Sequence, residues 1–502
     1  MLFNSRIFLF IFLPVTLILF WMINSRLGTK DSVTFLSFAS LAFYGYWNPP
    51  YVLLIVASIA LNFALGRLQG KAGGGSRTLL VAGIALNLGV LCYFKYFSFA
   101  ASTLQDLVGV SWTISAILLP LAISFFTFTQ IAYLVDVYRG IGRSYDFREY
   151  CFFVLFFPHL IAGPIVRHYE IIPQIENGRM PFRLEALAAG LTMFTLGLAK
   201  KVLLADTVAS TASWIFASAH AGNQLSFSLS WVGALAYTCQ IYFDFSGYSD
   251  MALGLGLMFG IKLPLNFDSP YMSASIVEFW RRWHISLSRF LKDYLYIPLG
   301  GSRAGKPRKY FNLMTTMLLG GLWHGAGWTF VIWGGLHGLY LVINHGWSAF
   351  TRGAGWADSW IARCFYHAIT FLAVVVAWVL FRAESLPAAM TMLRGMVGLN
   401  GVMLPATFQP IIGKVVPSWV VFGSTPVSSW ILLALACMLV IAFIAPNTQE
   451  IMRRAEPALE SVHSNTWLAW SLKPAWAFGV GILLALVLGS LGRVSEFLYF
   501  QF

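Results

Sequence analysis

Phe311-Asn312-Leu313-Met314-Thr315-Thr316-Met317-Leu318-Leu319-Gly320-Gly321-Leu322-Trp323-His324-Gly325-Ala326-Gly327-Trp328 opens a run without Asp, Glu, Lys or Arg that lasts from Lys309 to Arg352. Apolar stretches of this length read as membrane-spanning helices. A helix starting near Phe311 would carry His324 ~20 Å along its axis, at or past the middle of a ~30 Å hydrocarbon layer. An ionisable side chain is costly there, and its default reading is functional, facing protein or a water-filled cavity. The flanking glycines remove bulk and let another backbone or a substrate approach. The plainer reading is a neutral histidine hydrogen-bonded between packed helices. Trp323 beside it is a candidate substrate contact.

The rest of the chain agrees with a membrane setting. Of 502 residues, 58% are hydrophobic and 11% charged, against roughly 25% charged in a soluble domain. Mean hydropathy is +0.72. These values predict an all-α polytopic membrane protein. The net charge of +13 lies in short loops, where lysine and arginine orient spans, so it points to membrane lipids and topology and not to nucleic acid. Cys92, Cys151, Cys239, Cys364 and Cys437 are scattered, form no CxxC pair and imply no disulfide framework. Met1–Met22 places Arg6 before an apolar run but lacks a small-residue cleavage site, and is expected to stay as a first helix.

Apolar runs fall at about 7–23, 33–47, 51–66, 78–97, 114–138, 150–166, 184–204 and 231–261, and resume at 311–330, 331–343, 365–381, 430–445 and 475–491. Loops bearing Arg26 and Lys30, Arg67, Lys71 and Arg77, and Arg139, Arg143 and Arg148 read as cytoplasmic. The segments 100–113 and 206–230 hold neither Lys nor Arg and read as outside. Residues 150–166 separate two basic regions expected on one side, and contain Pro158, Gly163 and Pro164. That run is therefore expected to break and return, which membranes tolerate where protein covers the irregular backbone. The count becomes about twelve transmembrane helices, with re-entrant and interfacial helices, and both termini outside. Residues 383–429, with Arg394 and Lys414, read as the largest external loop. Gly73–Gly75 reads as a short flexible turn. No repeat or linker divides the chain, so 1–502 is expected to form one transmembrane domain, with 397–502 supplying an external loop and two last spans.

Residues 261–310 are the longest polar interruption and are basic. Ser275 and Glu278 form an S-x-x-E capping box that predicts a helix from about Ile276. Ile276, Phe279, Trp283, Leu287, Phe290 and Tyr294 recur at helical spacing. Arg281, His284, Ser288 and Lys292 make a neighbouring polar stripe. Such a helix suits the inner membrane surface or a groove in the bundle. Its basic residues, with Arg303 among Gly300, Gly301 and Gly305, fit either topogenic charge and anionic lipid or a phosphate-bearing cytosolic ligand. His284 reads either as an interfacial residue or as a support for His324. Asp244 and Asp250, in the apolar run 231–261, need partners or water and fit a cavity lining or helix-to-helix hydrogen bonds. His337 follows His324 by thirteen residues, a spacing that matches no common metal motif. His159 and His168 flank the broken run and could line an entrance. A buried histidine suits proton removal from a hydroxyl attacking an activated acyl group, in a cavity that limits thioester hydrolysis.

Several stretches together resemble the membrane-bound O-acyltransferase (MBOAT) superfamily, and within it the bacterial alginate O-acetyltransferase (AlgI-like) branch. They are Ile123-Ser124-Phe125-Phe126; Tyr133-Leu134-Val135-Asp136-Val137-Tyr138-Arg139-Gly140; Phe157-Pro158-His159-Leu160-Ile161-Ala162-Gly163-Pro164-Ile165-Val166-Arg167; Tyr242-Phe243-Asp244-Phe245-Ser246-Gly247-Tyr248-Ser249-Asp250-Met251; and Glu278-Phe279-Trp280-Arg281-Arg282-Trp283-His284-Ile285-Ser286-Leu287-Ser288. The run around His324 and Trp378-Val379-Leu380-Phe381-Arg382-Ala383-Glu384 complete the set. The most specific of them lie within 120–396, and the last hundred residues match loosely.

The resemblance implies a helical ring around a through-membrane tunnel in a bacterial inner membrane. It places the essential histidine at His324 and a second catalytic position at His284. Acetyl groups would come from a cytosolic donor, with acetyl-CoA expected, and pass to periplasmic partner proteins that modify an exopolysaccharide such as alginate. No bound cofactor and no metal are implied. His324 is then the expected general base and His284 its supporter or acid. Arg281, Lys292 and Arg303 are candidate phosphate contacts, and Asp244 and Trp323 further substrate contacts. A transporter of polysaccharide or acylated carrier would use intramembrane polar groups and broken helices equally well. A scaffold for periplasmic enzymes is a third reading, and would leave His324 without a purpose.

Overall fold

The computed structural model describes residues 1–502 apart from 72–74, 111–116, 142–144, 177, 304, 407–408, 414, 418–419, 424–426, 465, 493–497 and 499–502. Arg143, Lys414 and most of the Gly73–Gly75 turn lie outside the described residues. In chain order the helices begin with α1 (Leu13–Arg26), α2 (Thr29–Gly45), α3 (Pro50–Lys71), α4 (Arg77–Leu91), α5 (Phe97–Val108) and α6 (Ile123–Tyr138). Next come α7 (Phe147–Leu155), α8 (Phe157–Leu160), α9 (His168–Ile171), α10 (Leu184–Ala199), α11 (Asp206–His220) and α12 (Phe227–Met258). The polar interruption supplies α13 (Ile276–Arg282) and α14 (Ile285–Leu291), followed by α15 (Gly305–His324), α16 (Trp328–Phe350), α17 (Trp360–Arg382) and α18 (Leu386–Met396). The chain continues through β1 (Val402–Pro405), α19 (Gln409–Ile412), β2 (Val420–Gly423), α20 (Ser429–Ile444), α21 (Thr448–Met452) and α22 (Pro474–Ser490).

The chain is mostly helical, as composition predicts, with one departure: β1 and β2 pair in parallel, Val402 opposite Val420. Among the described residues five helices are long and apolar enough to cross a membrane: Phe8–Arg26, Pro50–Gly70, Arg77–Val108, Leu184–His220 and Trp360–Arg382. Ser429–Ile444 with Thr448–Ala455 makes a sixth if that pair counts as one span. One loop expectation is corrected, and the segment from 206 read as outside proves to begin as helix. Residues 206–220 are helix, because α10 runs through a π-helical segment, Lys200–Ala205, straight into α11. The 383–429 stretch is not a bare loop. Ser385 Oγ accepts from Ala388 N to start α18, which buries Ala388, Ala389 and Met392.

The chain forms two compact units. One comprises Met1–Leu198, Tyr248–Asn266 and Thr448–Val494. Its core is aromatic: Phe3, Phe8, Phe43 and Phe157 meet ring to ring, and Phe20 packs edge-on against Phe259 at 5.2 Å. The expected break in 150–166 is present. Phe156 leaves helical geometry (φ −49, ψ 106) between α7 and α8. Gly163 then passes so close beneath the Pro158 and His159 backbone that a Cβ would lie 2.7 Å from Pro158 O. His159 and His168 are buried. His168 is held between Asp136 Oδ2 (3.2 Å) and Tyr145 Oη (2.8 Å), which ties the residue just after the Phe157–Arg167 motif to the Tyr133–Gly140 motif.

The second unit comprises Ala199–Gly247, Phe267–Asn447 and Ser495–Phe502, and it contains His284, His324 and His337. Its centre is the hairpin of α15 and α16. Gly321 lies 3.0 Å, measured from an ideal Cβ, from Gly334 Cα, and a Cβ on Gly321 would also run into Phe330 O. A Cβ on Gly334 would run into Met317 O, and Gly338 sits under Met314 Sδ. Glycine at these positions lets two backbones touch, which is how membrane helices gain packing without a hydrophobic drive between them.

A candidate active site of buried histidines and tryptophans

Helix α15 begins at Gly305, six residues earlier than the apolar run suggested, and His324 is its last residue. The chain leaves the helix at Gly325, where a Cβ would collide with the Phe330 ring. Gly327 then caps α16 in an extended conformation. His324 is therefore carried at the end of a rigid helix, ~22 Å along the axis from Lys309 at 1.5 Å per residue. Its side chain is 5% exposed.

His284 reaches the same place by a different route. Ser275 Oγ accepts from Glu278 N at 3.1 Å, and Glu278 Oε2 accepts from Ala274 N at 2.9 Å, so the predicted cap does start α13. The helix does not run on to Tyr294, however. It stops at Arg282, Trp283 is extended, and His284 adopts left-handed geometry (φ 43, ψ 55) before α14. The single amphipathic helix expected from periodicity is corrected to two short ones with a reversal between them. Arg282 clamps the turn, donating through Nε to Glu278 Oε1 (2.9 Å) and through Nη1 to the Asp268 carbonyl (3.2 Å). Asp268 N donates to Arg282 O (3.0 Å), and Asn447 Nδ2 holds Asp268 Oδ1 (3.0 Å). A non-glycine residue in the left-handed region is uncommon and over-determined by its surroundings. Here that conformation turns a histidine, 0% exposed, inward.

The two rings end 6.4 Å apart, centroid to centroid, at 58°. Phe245 of α12 packs edge-on against His284 at 4.8 Å. Trp323, Trp333 and Phe381 surround His324 at 4.9, 5.2 and 5.3 Å. Trp333 in turn stacks on Trp378 at 6.0 Å. The aromatic stripe of α13 supplies the floor: Phe279 and Trp283 are buried and contact Trp378. Five separate elements thus place large rings around two imidazoles.

The other candidates separate into two groups. Trp323 is buried beside both histidines, 6.2 Å from the His284 ring. Arg281, Lys292 and Arg303 are exposed. Asp244, 1% exposed, is held by Lys201: Nζ lies 2.6 Å from Asp244 Oδ1 and 2.8 Å from Asp206 Oδ1, and Leu498 N donates to Asp244 Oδ2 at 3.2 Å. Of the two readings open for these aspartates, helix-to-helix bonding is what the geometry displays. Asp250 likewise accepts from Gln449 Nε2 at 2.6 Å.

His337, which sequence spacing ties to no common metal motif, joins this cluster. It sits on α16, 0% exposed, with Trp333 at 4.8 Å, Trp280 at 5.0 Å and Phe279 stacked at 6.1 Å. One turn apart on a helix, positions 333 and 337 share a face, and the Gly334–Gly338 spacing already marked where α16 meets α15. Among the described residues no group of three or more His, Cys, Asp or Glu has metal-binding geometry.

Residues 77–382 match the membrane-bound O-acyltransferase (MBOAT) family, a span that holds the motifs set out above apart from Ala383 and Glu384 at the end of the last. The chain is similar to "Peptidoglycan O-acetyltransferase" of Helicobacter pylori, at 42% identity over 80% of this chain and 81% of the relative. It is also similar to "Probable alginate O-acetylase AlgI" of Pseudomonas aeruginosa, at 43% identity over 79% of this chain and 75% of the relative. "Teichoic acid D-alanyltransferase" of Streptococcus thermophilus is 31% identical over 45% of this chain and 57% of its own length. The chain belongs to the membrane-bound O-acyltransferase family.

Proposed function

We infer that this enzyme is a membrane O-acetyltransferase acting on an exported polysaccharide, with His324 as general base and His284 as its partner. The observation that carries the reading is the convergence of these two buried imidazoles, forty positions apart in sequence, at a ring separation of 6.4 Å. At that separation one hydroxyl group can touch both rings. The names of the relatives, which specify O-acetylation of peptidoglycan and alginate, support the substrate class.

The expected donor is acetyl-CoA, used as substrate and not as a bound cofactor. In the step itself, His324 takes the proton of the acceptor hydroxyl as that oxygen bonds to the thioester carbonyl carbon. The carbonyl electron pair moves onto its oxygen, then returns as the carbon–sulfur bond breaks. The thiolate leaves with the proton, passed back from His324 or supplied through His284. The products are an O-acetyl ester and the free thiol. Enclosure by Trp323, Trp333 and Phe381 would keep water from the thioester.

The finer elements of the reading rest on the family resemblance. Arg281, Lys292 and Arg303 are proposed phosphate contacts for the donor, and their exposure is compatible with that. Trp323 is a proposed substrate contact. Asp244 would serve as another only through carboxylate lone pairs left beside Lys201. About twelve spans would form one domain, a ring around a tunnel in the bacterial inner membrane, with both termini periplasmic. Acetyl would pass to periplasmic acetyltransferase partner proteins or directly to the polymer. Membrane lipids are the remaining partner, and a groove of about 710 Å³ lined by Trp21, Phe182 and Arg179 suits an acyl tail beside a basic rim. The reading is tested by whether acetate reaches the polymer when position 324 no longer carries histidine.

A further inference from the structure

Behind His324, on the far side of Trp333, three rings make a second polar cluster that the chemistry above does not use. His337 is 0% exposed and Trp333 1%. Trp280 and Trp333 lie 5.0 and 4.8 Å from the His337 ring and 5.8 Å from each other. Among the described residues neither ring nitrogen of His337, nor the indole Nε1 of Trp280 or Trp333, has a hydrogen-bond partner, and all four atoms are buried. Buried polar groups are nearly always paired, and leaving them unpaired is expensive. Four such atoms on three mutually contacting rings point to a small guest that bonds them. A core chosen for packing alone would carry phenylalanine or leucine at these positions.

We propose that His337 is a positioning residue of the acyl-transfer site. With the N–H groups of Trp280 and Trp333, it forms a pocket for one small oxygen-bearing group. The indoles only donate, whereas a neutral imidazole donates through one nitrogen and accepts through the other. The pocket therefore matches an oxygen that accepts two bonds, and one that both donates and accepts fits best. An ordered water meets this description, and so does the acyl carbonyl of the donor for the accepting part. The link to the reaction is Trp333, which stands edge-on to His324 at 5.2 Å and 87° and also meets His337, Trp280, Trp378 and Phe381. A guest that fixes the Trp333 indole fixes the wall against which the His324 ring rests. The proposal rests on the acetyltransferase reading of the preceding section.

The test compares H337F, H337Q and H324A in cells making the polymer, with the full chain at membrane scale. Polymer-bound acetate is normalised to folded protein, measured by detergent-stable monodisperse protein. Phenylalanine keeps the ring in an aromatic box, whereas glutamine loses the ring and keeps a donor and an acceptor. A packing role ranks H337F at or above H337Q. The positioning role predicts the opposite order, with H337F falling tenfold or more and H337Q retaining at least a third of wild-type transfer. H337F equal to or better than H337Q overturns the proposal. H324A separates the two levels, since acetylation that survives it overturns the acetyltransferase reading itself, whatever the order at 337. For the purified protein, a raised KM for acetyl-CoA in H337F assigns the guest as the donor carbonyl. A lowered kcat at unchanged KM assigns it as water.

Discussion

The G334A substitution tests whether the α15–α16 hairpin sets the position of His324. An alanine Cβ there would sit 3.1 Å from Met317 C and 3.2 Å from Gly321 Cα, with Met317 O nearer still. Carbon atoms pack best at about 3.5–4.0 Å, so the helices must part by about 0.5–1 Å. Overpacking of this kind costs typically 1–3 kcal/mol, which leaves most chains folded. Three residues beyond Gly321 lies His324, at the end of the same helix, and it moves with that backbone. Misplacing a reacting group by ~1 Å can cost ~100-fold in rate. The expected result is a melting temperature in detergent lower by a few degrees and acetyl transfer per folded molecule down at least tenfold. G335A is the control, because its neighbour is the flexible Leu318 side chain, 3.3 Å away. Full activity in G334A with an intact fold would refute the idea that this glycine contact holds the base in place.

K201M should act on stability before activity. It strands Asp206 and Asp244 in a site where all three side chains are under a tenth exposed, and breaking a buried ion pair typically costs about 3–5 kcal/mol. A melting temperature equal to wild type would show that the cluster is not structural. H284N keeps a residue that tolerates left-handed geometry and a hydrogen-bonding tip. It should fold normally and lose transfer in part, whereas H284V, β-branched at φ 43, should lose both fold and transfer. Equal melting curves for H284N and H284V would contradict the strained-turn account.

The fold class was legible because membrane chemistry is a composition effect: long charge-free runs leave few alternatives to helices. His324 was legible for the same reason, as an ionisable group where none is cheap. The break at Phe156 was visible in Pro158 and Gly163. His284 was legible only as a residue and not as a conformation. The apolar stripe from Ile276 to Tyr294 fits one helix as well as two, because the reversal at His284 is imposed by Arg282, Glu278, Asp268 and Asn447, the last of them far away in sequence. Asp244 stayed open between a cavity lining and helix-to-helix bonding because its partners sit on other elements, with Lys201 at the end of the run 184–204. His337 was legible as a histidine in an apolar run, but its packing against Phe279 and Trp280 is a contact between α16 and α13. In each case the missing information was a long-range contact, which local periodicity does not contain.

The central claim is that the imidazole at position 324 removes the proton in acyl transfer. Its most direct measurement is polymer-bound acetate in cells carrying H324A, with membrane level and melting behaviour matched to wild type. The account predicts a loss of at least a hundredfold, in line with the ~10²–10⁴ supplied by a positioned general base. Acetylation near the wild-type level in that variant would contradict it.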